Sequence, residues 1–263
     1  MSAPLSRDDI ERAADALLAA RLSNTLIDGL PEGARPANLE EAYRIQDRFI
    51  EKLGRPVGGY FAGCTNQAIQ ARLGIDGPYC ARLFEALILP APARIEAASF
   101  PQIVLECEFA FVFARDLESR ALPYTVDEVR GAVRSVHPSI ELVAGHLKDW
   151  TRQNIFSVIA DNGTDGALFY GEGRPIGDLD LAAIAVTLSV NGDIRQTGTG
   201  ADVLGHPLDA LTWLVNAQSR RGRRVQAGHM FNTGTATDIE PAGAGDTAIA
   251  DFGALGRVEL VVE

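Results

Sequence analysis

Ile103-Val104-Leu105-Glu106-Cys107-Glu108-Phe109-Ala110-Phe111-Val112-Phe113-Ala114-Arg115 is the stretch that predicts a central β-strand. It is rich in β-branched and aromatic residues, contains neither Gly nor Pro, and lies between Pro101 and Asp116. Successive side chains of a strand point to opposite faces, so Glu106 and Glu108 share one face and the large apolar residues occupy the other. Two acidic residues within so apolar a strand need either solvent or a positively charged partner.

Two interpretations of this acidic pair follow. In the first, the strand lies at a sheet edge and both carboxylates face water. In the second, the two carboxylates converge on one cation of the kind that prefers oxygen ligands, such as Mg²⁺ or Mn²⁺. A further apolar segment, Ser139-Ile140-Glu141-Leu142-Val143-Ala144, reads as a strand and carries Glu141, the natural third carboxylate.

Composition excludes several classes of protein. The chain has 263 residues, 46% of them hydrophobic and 22% charged, and a net charge of −11, which argues against binding to nucleic acid or to an anionic membrane. The three cysteines, Cys64, Cys80 and Cys107, lack metal-type pairing and fit reduced thiols in a cytoplasmic protein. No run approaches the roughly 18 apolar residues of a membrane span. No nucleophile elbow, P-loop or dinucleotide fingerprint is present.

Hydrophobic periodicity divides the chain into two regions. Residues 1–56 read as a helical pair that packs on the remainder or covers a site as a lid, and residues 57–263 read as a β-rich domain with inserted helices. Within the second region, Thr125 caps a helix that we expect to run to about Val136. Asn191-Gly192 predicts a hairpin turn.

Two loops are candidates for binding a substrate carboxylate. Cys64-Thr65 follows a Gly-rich strand, and Thr233-Gly234-Thr235 offers further hydroxyl and backbone N–H groups. His146 lies five residues after Glu141 and is a candidate proton carrier, although a lone histidine is more often structural.

Together these segments make the chain resemble the 2-keto-4-pentenoate hydratase / 4-oxalocrotonate decarboxylase family, within the fumarylacetoacetate hydrolase superfamily. The resemblance covers nearly the whole chain, and its motifs are Glu106-Cys107-Glu108-Phe109-Ala110-Phe111, Glu141, Trp150, Ala160-Asp161-Asn162, Gly200-Ala201-Asp202-Val203-Leu204-Gly205-His206-Pro207, Thr233-Gly234-Thr235 and Phe252-Gly253-Ala254-Leu255-Gly256. It implies an α+β fold in which a small N-terminal helical region precedes a mixed β-roll or β-sandwich core of the fumarylacetoacetate hydrolase C-terminal type. It also implies Glu106, Glu108 and Glu141 as ligands of Mg²⁺ or Mn²⁺ and Asn162 among the substrate-binding residues. The partners that it implies are further copies of the same chain, in a homo-oligomer, and an enzyme of the same pathway.

The chain departs from this family on the acid/base side of the site. Phe61 stands where the family usually has a lysine, an acid is replaced around Tyr79, and Ala144-Gly145-His146 replaces an Asp-Ser-Arg triplet. His146, Tyr60, Tyr79 and Lys148 are the groups that could take over proton transfer.

The resemblance implies a metal-dependent lyase, a hydratase or decarboxylase, that acts on a small 2-oxo or 2-hydroxydienoic acid of aromatic catabolism through a metal-stabilised enolate. Alternatives are a tautomerase or isomerase, a C–C hydrolase, or a non-catalytic relative that has lost the lysine at position 61.

Overall fold

Residues 4–263 are described by a computed structural model, in which two β-sheets follow a pair of N-terminal helices. The helices are α1 (Arg7–Ser23), α2 (Leu39–Leu53), α3 (Gln67–Leu73), α4 (Val126–Arg130), α5 (Ile155–Ala160) and α6 (Pro207–Arg220). None of them, in this part of the chain, has both the length and the apolar composition that crossing a membrane requires.

The larger sheet carries the acidic strand at its centre. Its strands are β1 (Val57–Gly63), β2 (Tyr79–Phe84), β3 (Ile88–Pro90), β5 (Val104–Phe113), β6 (Val133–Val143), β7 (Asp165–Tyr170), β10 (Met230–Thr235) and β11 (Glu240–Pro241). Their spatial order is β2-β1-β10-β5-β6-β7-β3, and β11 pairs with the start of β5. Strand β5 is therefore flanked on both sides, and the edge-strand interpretation of Glu106 and Glu108 is wrong.

The smaller sheet packs on the apolar face of β5. It consists of β4 (Ala93–Ile95), β8 (Ala185–Val190), β9 (Asp193–Thr199), β12 (Thr247–Asp251) and β13 (Arg257–Val262), in the order β4-β13-β12-β8-β9. Leu105, Cys107 and the phenylalanines of β5 are fully buried in one cluster with residues of these strands. The ring of Phe109 meets that of Phe252 edge-on at 5.1 Å between centroids. The α+β fold with a curled, two-sheet core is the one expected.

Strand β6 begins earlier than the sequence predicts. Helix α4 starts at its Thr125 cap, as expected, but ends at Arg130, and β6 begins at Val133. The predicted helix to Val136 is therefore wrong over its second half. Residues from Val133 onward pair with β5, with Phe113 opposite Val133, and this long-range pairing outweighs a local helical pattern.

Charged residues join the N-terminal helical hairpin to the larger sheet. Arg21 near the end of α1 forms a buried salt bridge with Asp165, the first residue of β7. Asp47 of α2 accepts from Arg82 of β2 and from Arg221 and Arg223 beyond α6. The hairpin thus packs on the main domain, and its role as a lid stays a prediction.

Gly59 of β1 lies directly against the backbone of Met230 in β10. A Cβ at this position would overlap the carbonyl oxygen of Met230. Gly59→Ala should therefore destabilise the protein by about 3 kcal/mol, within the range of backbone and overpacking effects. Thermal or urea unfolding measures this loss. Gly77→Ala is the matched control, because a Cβ there meets nothing within 4 Å; equal stability of the two variants would contradict the close packing of β1 against β10.

Candidate metal centre

The structure brings together three carboxylates on one face of the larger sheet. Glu106 and Glu108 project from β5, and Glu141 lies opposite Glu106 in the register of β5 and β6. One carboxylate oxygen from each residue lies within 4.8 Å of the other two. The alternation of β5 thus turns the acidic pair away from the phenylalanine-rich core and toward the third acid.

Strand β10 supplies hydrogen-bond donors to this group. The Nδ2 of Asn232 donates to Glu108 at 2.7 Å and to Glu141 at 2.6 Å, and the backbone N–H of Gly234 donates to Glu108 at 2.7 Å. Sequence reasoning missed Asn232. Its role depends on the pairing of β10 with β5, which brings Asn232 opposite Ala110 and which no local sequence pattern shows.

Burial and mutual repulsion perturb all three acids. Burial, followed by the charge of Glu108, raises the pKa of Glu106 well above its usual range, and burial and the charge of Glu141 do the same to the pKa of Glu108. Burial and the charge of Glu106 raise the pKa of Glu141 to about 8. Three ionised carboxylates this close require a cation, and a donor set made only of carboxylate oxygens fits Mg²⁺ or Mn²⁺.

The carboxylates line a cavity of about 140 Å³. Eight of its other lining residues are large and apolar: Phe61, Ile69, Leu73, Val143, Trp150, Ile155, Val158 and Ile239. They come from strands β1 and β6, helices α3 and α5, the 3-10 turn that begins at Trp150, and the loop at Ile239. The result is a site with three convergent polar groups and predominantly hydrophobic walls, which is typical of pockets for small ligands.

The side chain of Tyr79 contributes a phenol group to the lining of this cavity. Gly63 and Gly163 form its slot, because a Cβ at either position would overlap the Tyr79 ring. Its hydroxyl donates to the Gly163 carbonyl at 3.4 Å. Burial, followed by the charges of Cys64 and the three glutamates, raises the pKa of Tyr79 well above its usual range. The hydroxyl therefore stays protonated at neutral pH and keeps a proton that it can donate.

The predicted substrate-binding residues fall into two groups. Cys64, Thr65, Gly234 and Thr235 line the cavity, and their part in binding a substrate stays a prediction. Thr233 and Asn162 do not line it. The Thr233 hydroxyl donates to the Phe109 carbonyl at 3.1 Å, and the Asn162 side chain makes two 2.9 Å hydrogen bonds with the backbone of Arg82.

Three of the four predicted proton carriers lie away from the cavity lining. Tyr60 packs its ring against Phe231, and Lys148 is exposed beside Asp28. His146 is buried, with its Nδ1 4.0 Å from Asp161. Burial, together with Arg21 and Arg55, lowers the pKa of His146 to about 3. Tyr79, the fourth predicted proton carrier, is the one that lines the cavity together with the three carboxylates.

Comparison with known proteins agrees with this architecture. A family model described as fumarylacetoacetate hydrolase, C-terminal, matches residues 80–263. The chain is 32% identical over 258 residues to a 2-keto-4-pentenoate hydratase of Paraburkholderia xenovorans, covering 96% of this chain and 94% of the relative. It is 31% identical to a 2-hydroxyhexa-2,4-dienoate hydratase of Comamonas testosteroni, covering 96% and 92%.

A solved structure shares the fold over its full length. The 4-oxalocrotonate decarboxylase of Pseudomonas putida G7, complexed with magnesium and adipate, superposes with a TM-score of 0.90 at 24% identity and 100% coverage of both chains. The resemblance stated from the sequence is confirmed, and the chain belongs to the fumarylacetoacetate hydrolase family.

Proposed function

We propose that this chain is a divalent-metal-dependent lyase that acts on a small 2-oxo or 2-hydroxydienoic acid. The observation that carries the proposal is the convergence of Glu106, Glu108 and Glu141 at one side of an otherwise largely apolar cavity. Hydration is the first candidate reaction, because the relatives above 30% identity are named hydratases. Decarboxylation is second, supported only by a likeness of fold.

Glu106, Glu108 and Glu141 would hold the metal. A bound Mg²⁺ or Mn²⁺ supplies Lewis-acid stabilisation of the negative charge that develops on the 2-oxo oxygen of the substrate. Asn232 orients two of the carboxylates, since its amide donates to Glu108 and Glu141 at once. The Gly234 N–H fixes the Glu108 oxygen that it contacts.

The chain's own groups then position the organic part of the substrate. The apolar walls accept a hydrocarbon chain, and Tyr79 holds a proton at the phenol oxygen inside the same cavity. Both hydration and decarboxylation of such acids require a proton to be delivered to carbon, and a neutral phenol can deliver it. We assign this role to Tyr79. A cytoplasmic location and self-association stay predictions from the sequence.

An ultraviolet assay tests the proposed reaction class. The purified chain should consume a 2-hydroxydienoic acid only when Mg²⁺ or Mn²⁺ is added, and the product should separate hydration from decarboxylation. Isomerisation or C–C hydrolysis would appear as a different product. Metal binding without turnover of any 2-hydroxydienoic or 2-oxo-enoic acid would instead favour a non-catalytic relative.

Glu108→Gln should weaken metal binding by about 100-fold or more, since it removes one of three charged ligands and leaves an amide in its place. Calorimetric titration with Mn²⁺ measures the change. Glu118→Gln, an exposed acid beside Arg224, is the control and should bind as the unaltered protein does. Unchanged affinity in the Glu108 variant would reject the ligand assignment.

Metal binding at pH 7 should release protons. The pKa of Glu141 is about 8 without a metal, so this acid carries a proton at pH 7 that a cation must displace. The apparent affinity should therefore rise as the pH rises through about 8. Titrations at pH 7 in two buffers of different ionisation enthalpy count the protons; identical heats in both buffers would show that the acids are already ionised.

Tyr79→Phe should lower kcat by about 100-fold, the lower end of general acid–base effects, with a smaller change in KM. The substitution retains the ring between Gly63 and Gly163. Tyr60→Phe is the matched control, because that ring packs against Phe231 and lies outside the cavity lining. A larger loss of kcat in the Tyr60 variant would return the proton-carrier role to Tyr60.

A further inference from the structure

A second cavity lies on the larger sheet, away from the three glutamates. It encloses about 480 Å³, and strands β1, β3, β5, β6, β7 and β10 all contribute to its lining. Among the described residues, none lines both this cavity and that of the metal centre. His137, which lines the second cavity, precedes Glu141 by four residues on β6, a separation of about 13 Å along a strand.

A β-bulge in β6 turns two consecutive side chains into this cavity. Val112 of β5 lies opposite Ser135. The next residue of β5, Phe113, lies opposite Val133, so Arg134 is the extra residue of the bulge. Arg134 and Ser135 therefore both line the cavity, although neighbours on a regular strand point to opposite faces. Within the described part of the chain, the Arg134 guanidinium makes neither a hydrogen bond nor an ion pair.

Ser135 and His137 form a hydrogen-bonded pair in this cavity. The Oγ of Ser135 lies 2.9 Å from Nε2 of His137, and Nδ1 of the same ring lies 2.9 Å from the carbonyl oxygen of Gly171. A carbonyl oxygen can only accept, so Nδ1 carries the ring hydrogen and Nε2 accepts from the serine hydroxyl. Burial lowers the pKa of His137, which keeps the ring neutral at pH 7 and able to take up a proton.

The imidazole ring of His137 is held in place from several sides. The Gly171 carbonyl accepts from Nδ1, and the Tyr170 ring meets the imidazole edge-on with 5.5 Å between centroids. Gly173 leaves the space for the ring, because a Cβ there would overlap it. The half-buried Ser135 thus has a base at hydrogen-bond distance, and that base has its own orienting group. This is the arrangement of an activated serine nucleophile, which is recognised by geometry rather than by sequence position.

We propose that Ser135 and His137 form a second catalytic site, which hydrolyses short carboxylic esters without a metal. The Ser135 oxygen attacks the carbonyl carbon of the ester while its proton passes to His137 Nε2. The tetrahedral intermediate expels the alkoxide, which takes that proton and leaves as the alcohol, and an acyl-serine remains. Water then attacks the acyl carbon, gives a proton to Nε2, and the serine oxygen recovers that proton as the acid departs.

The lining of the second cavity fits the ester class. Ile88, Val112 and Met230 offer an apolar surface to a short acyl chain. Arg134 brings a guanidinium without a partner into the same cavity, and its charge stabilises the oxyanion that forms on the carbonyl oxygen of the ester.

Hydrolysis of 4-nitrophenyl acetate by the purified full chain in EDTA tests the proposal. The unaltered protein should hydrolyse this ester about 100-fold faster than Ser135→Ala, the lower end of general acid–base effects. Ser189→Ala is the matched control and should hydrolyse it as the unaltered protein does. Ser189 is also a half-buried strand serine, but its hydroxyl donates to the Ile249 carbonyl at 3.4 Å instead of to a histidine.

A fluorophosphonate probe identifies the nucleophile directly. Its phosphorus should bond to the Ser135 oxygen with loss of fluoride, and trypsin should release the adduct in the peptide 135–148. Labelling should disappear in Ser135→Ala and fall steeply in His137→Gln, because the serine then lacks its base. Thermal unfolding shows that each variant is folded.

The outcomes separate this site from the metal centre. Equal hydrolysis by the unaltered protein and Ser135→Ala, or labelling at another residue, would overturn the proposal. Loss of hydrolysis in EDTA, or in Glu108→Gln, would place the activity at the three glutamates and overturn it as well. Hydrolysis that persists in EDTA and is lost in Ser135→Ala, but not in Ser189→Ala, supports it whatever reaction the metal centre performs.

Discussion

Repulsion among three closely spaced carboxylates, two of them buried and one half-buried, is the constraint on which this structure depends. At separations below 5 Å in a protein interior, each pair of ionised acids costs several kcal/mol, so the group is tolerated only with protons or a cation between its members. The amide of Asn232 and the N–H of Gly234 relieve part of this repulsion. The pairing of β5 with β6 keeps the three acids close together despite their mutual repulsion. A divalent metal would replace that repulsion with attraction, and the difference would add to the free energy of metal binding.

The two faces of β5 differ in chemical character, one apolar and the other acidic. One face carries the phenylalanines into the core between the sheets, and the other carries Glu106 and Glu108 into the cavity. Because the core side is closely packed, the acids cannot move apart by shifting the strand without exposing or crowding large aromatic rings. The rigidity of the site therefore originates in residues that never contact a ligand.

Local sequence patterns predicted much of the fold and the acidic part of the candidate site. Strand alternation identified β5 and its acids, and Asn191-Gly192 identified the β8–β9 hairpin, because these features depend on neighbours in the sequence. The start of β6 and the role of Asn232 depend on pairing with β5, which no local stretch of sequence contains.

The choice among the candidate proton carriers also needed the structure. His146 was a candidate because it follows Glu141 by five residues. The strand ends at Val143, however, and the His146 side chain lies in a buried group with Arg21 and Asp161. The sequence named Tyr79 as a candidate proton carrier but could not place it in the cavity. The space for its ring is formed by Gly63 and Gly163, which are far apart in the sequence.

The position of β10 has a consequence for how the molecule assembles. This strand comes late in the sequence, at residues 230–235, but lies between β1 and β5 in space. Until the ribosome has delivered it, the β1–β2 hairpin and the β5–β6–β7 meander have no strand between them, and the acids lack Asn232 and Gly234. Completion of the site is thus a late event in biosynthesis, with pairing across about 170 residues that folds slowly and leaves sheet edges open to aggregation in the interval.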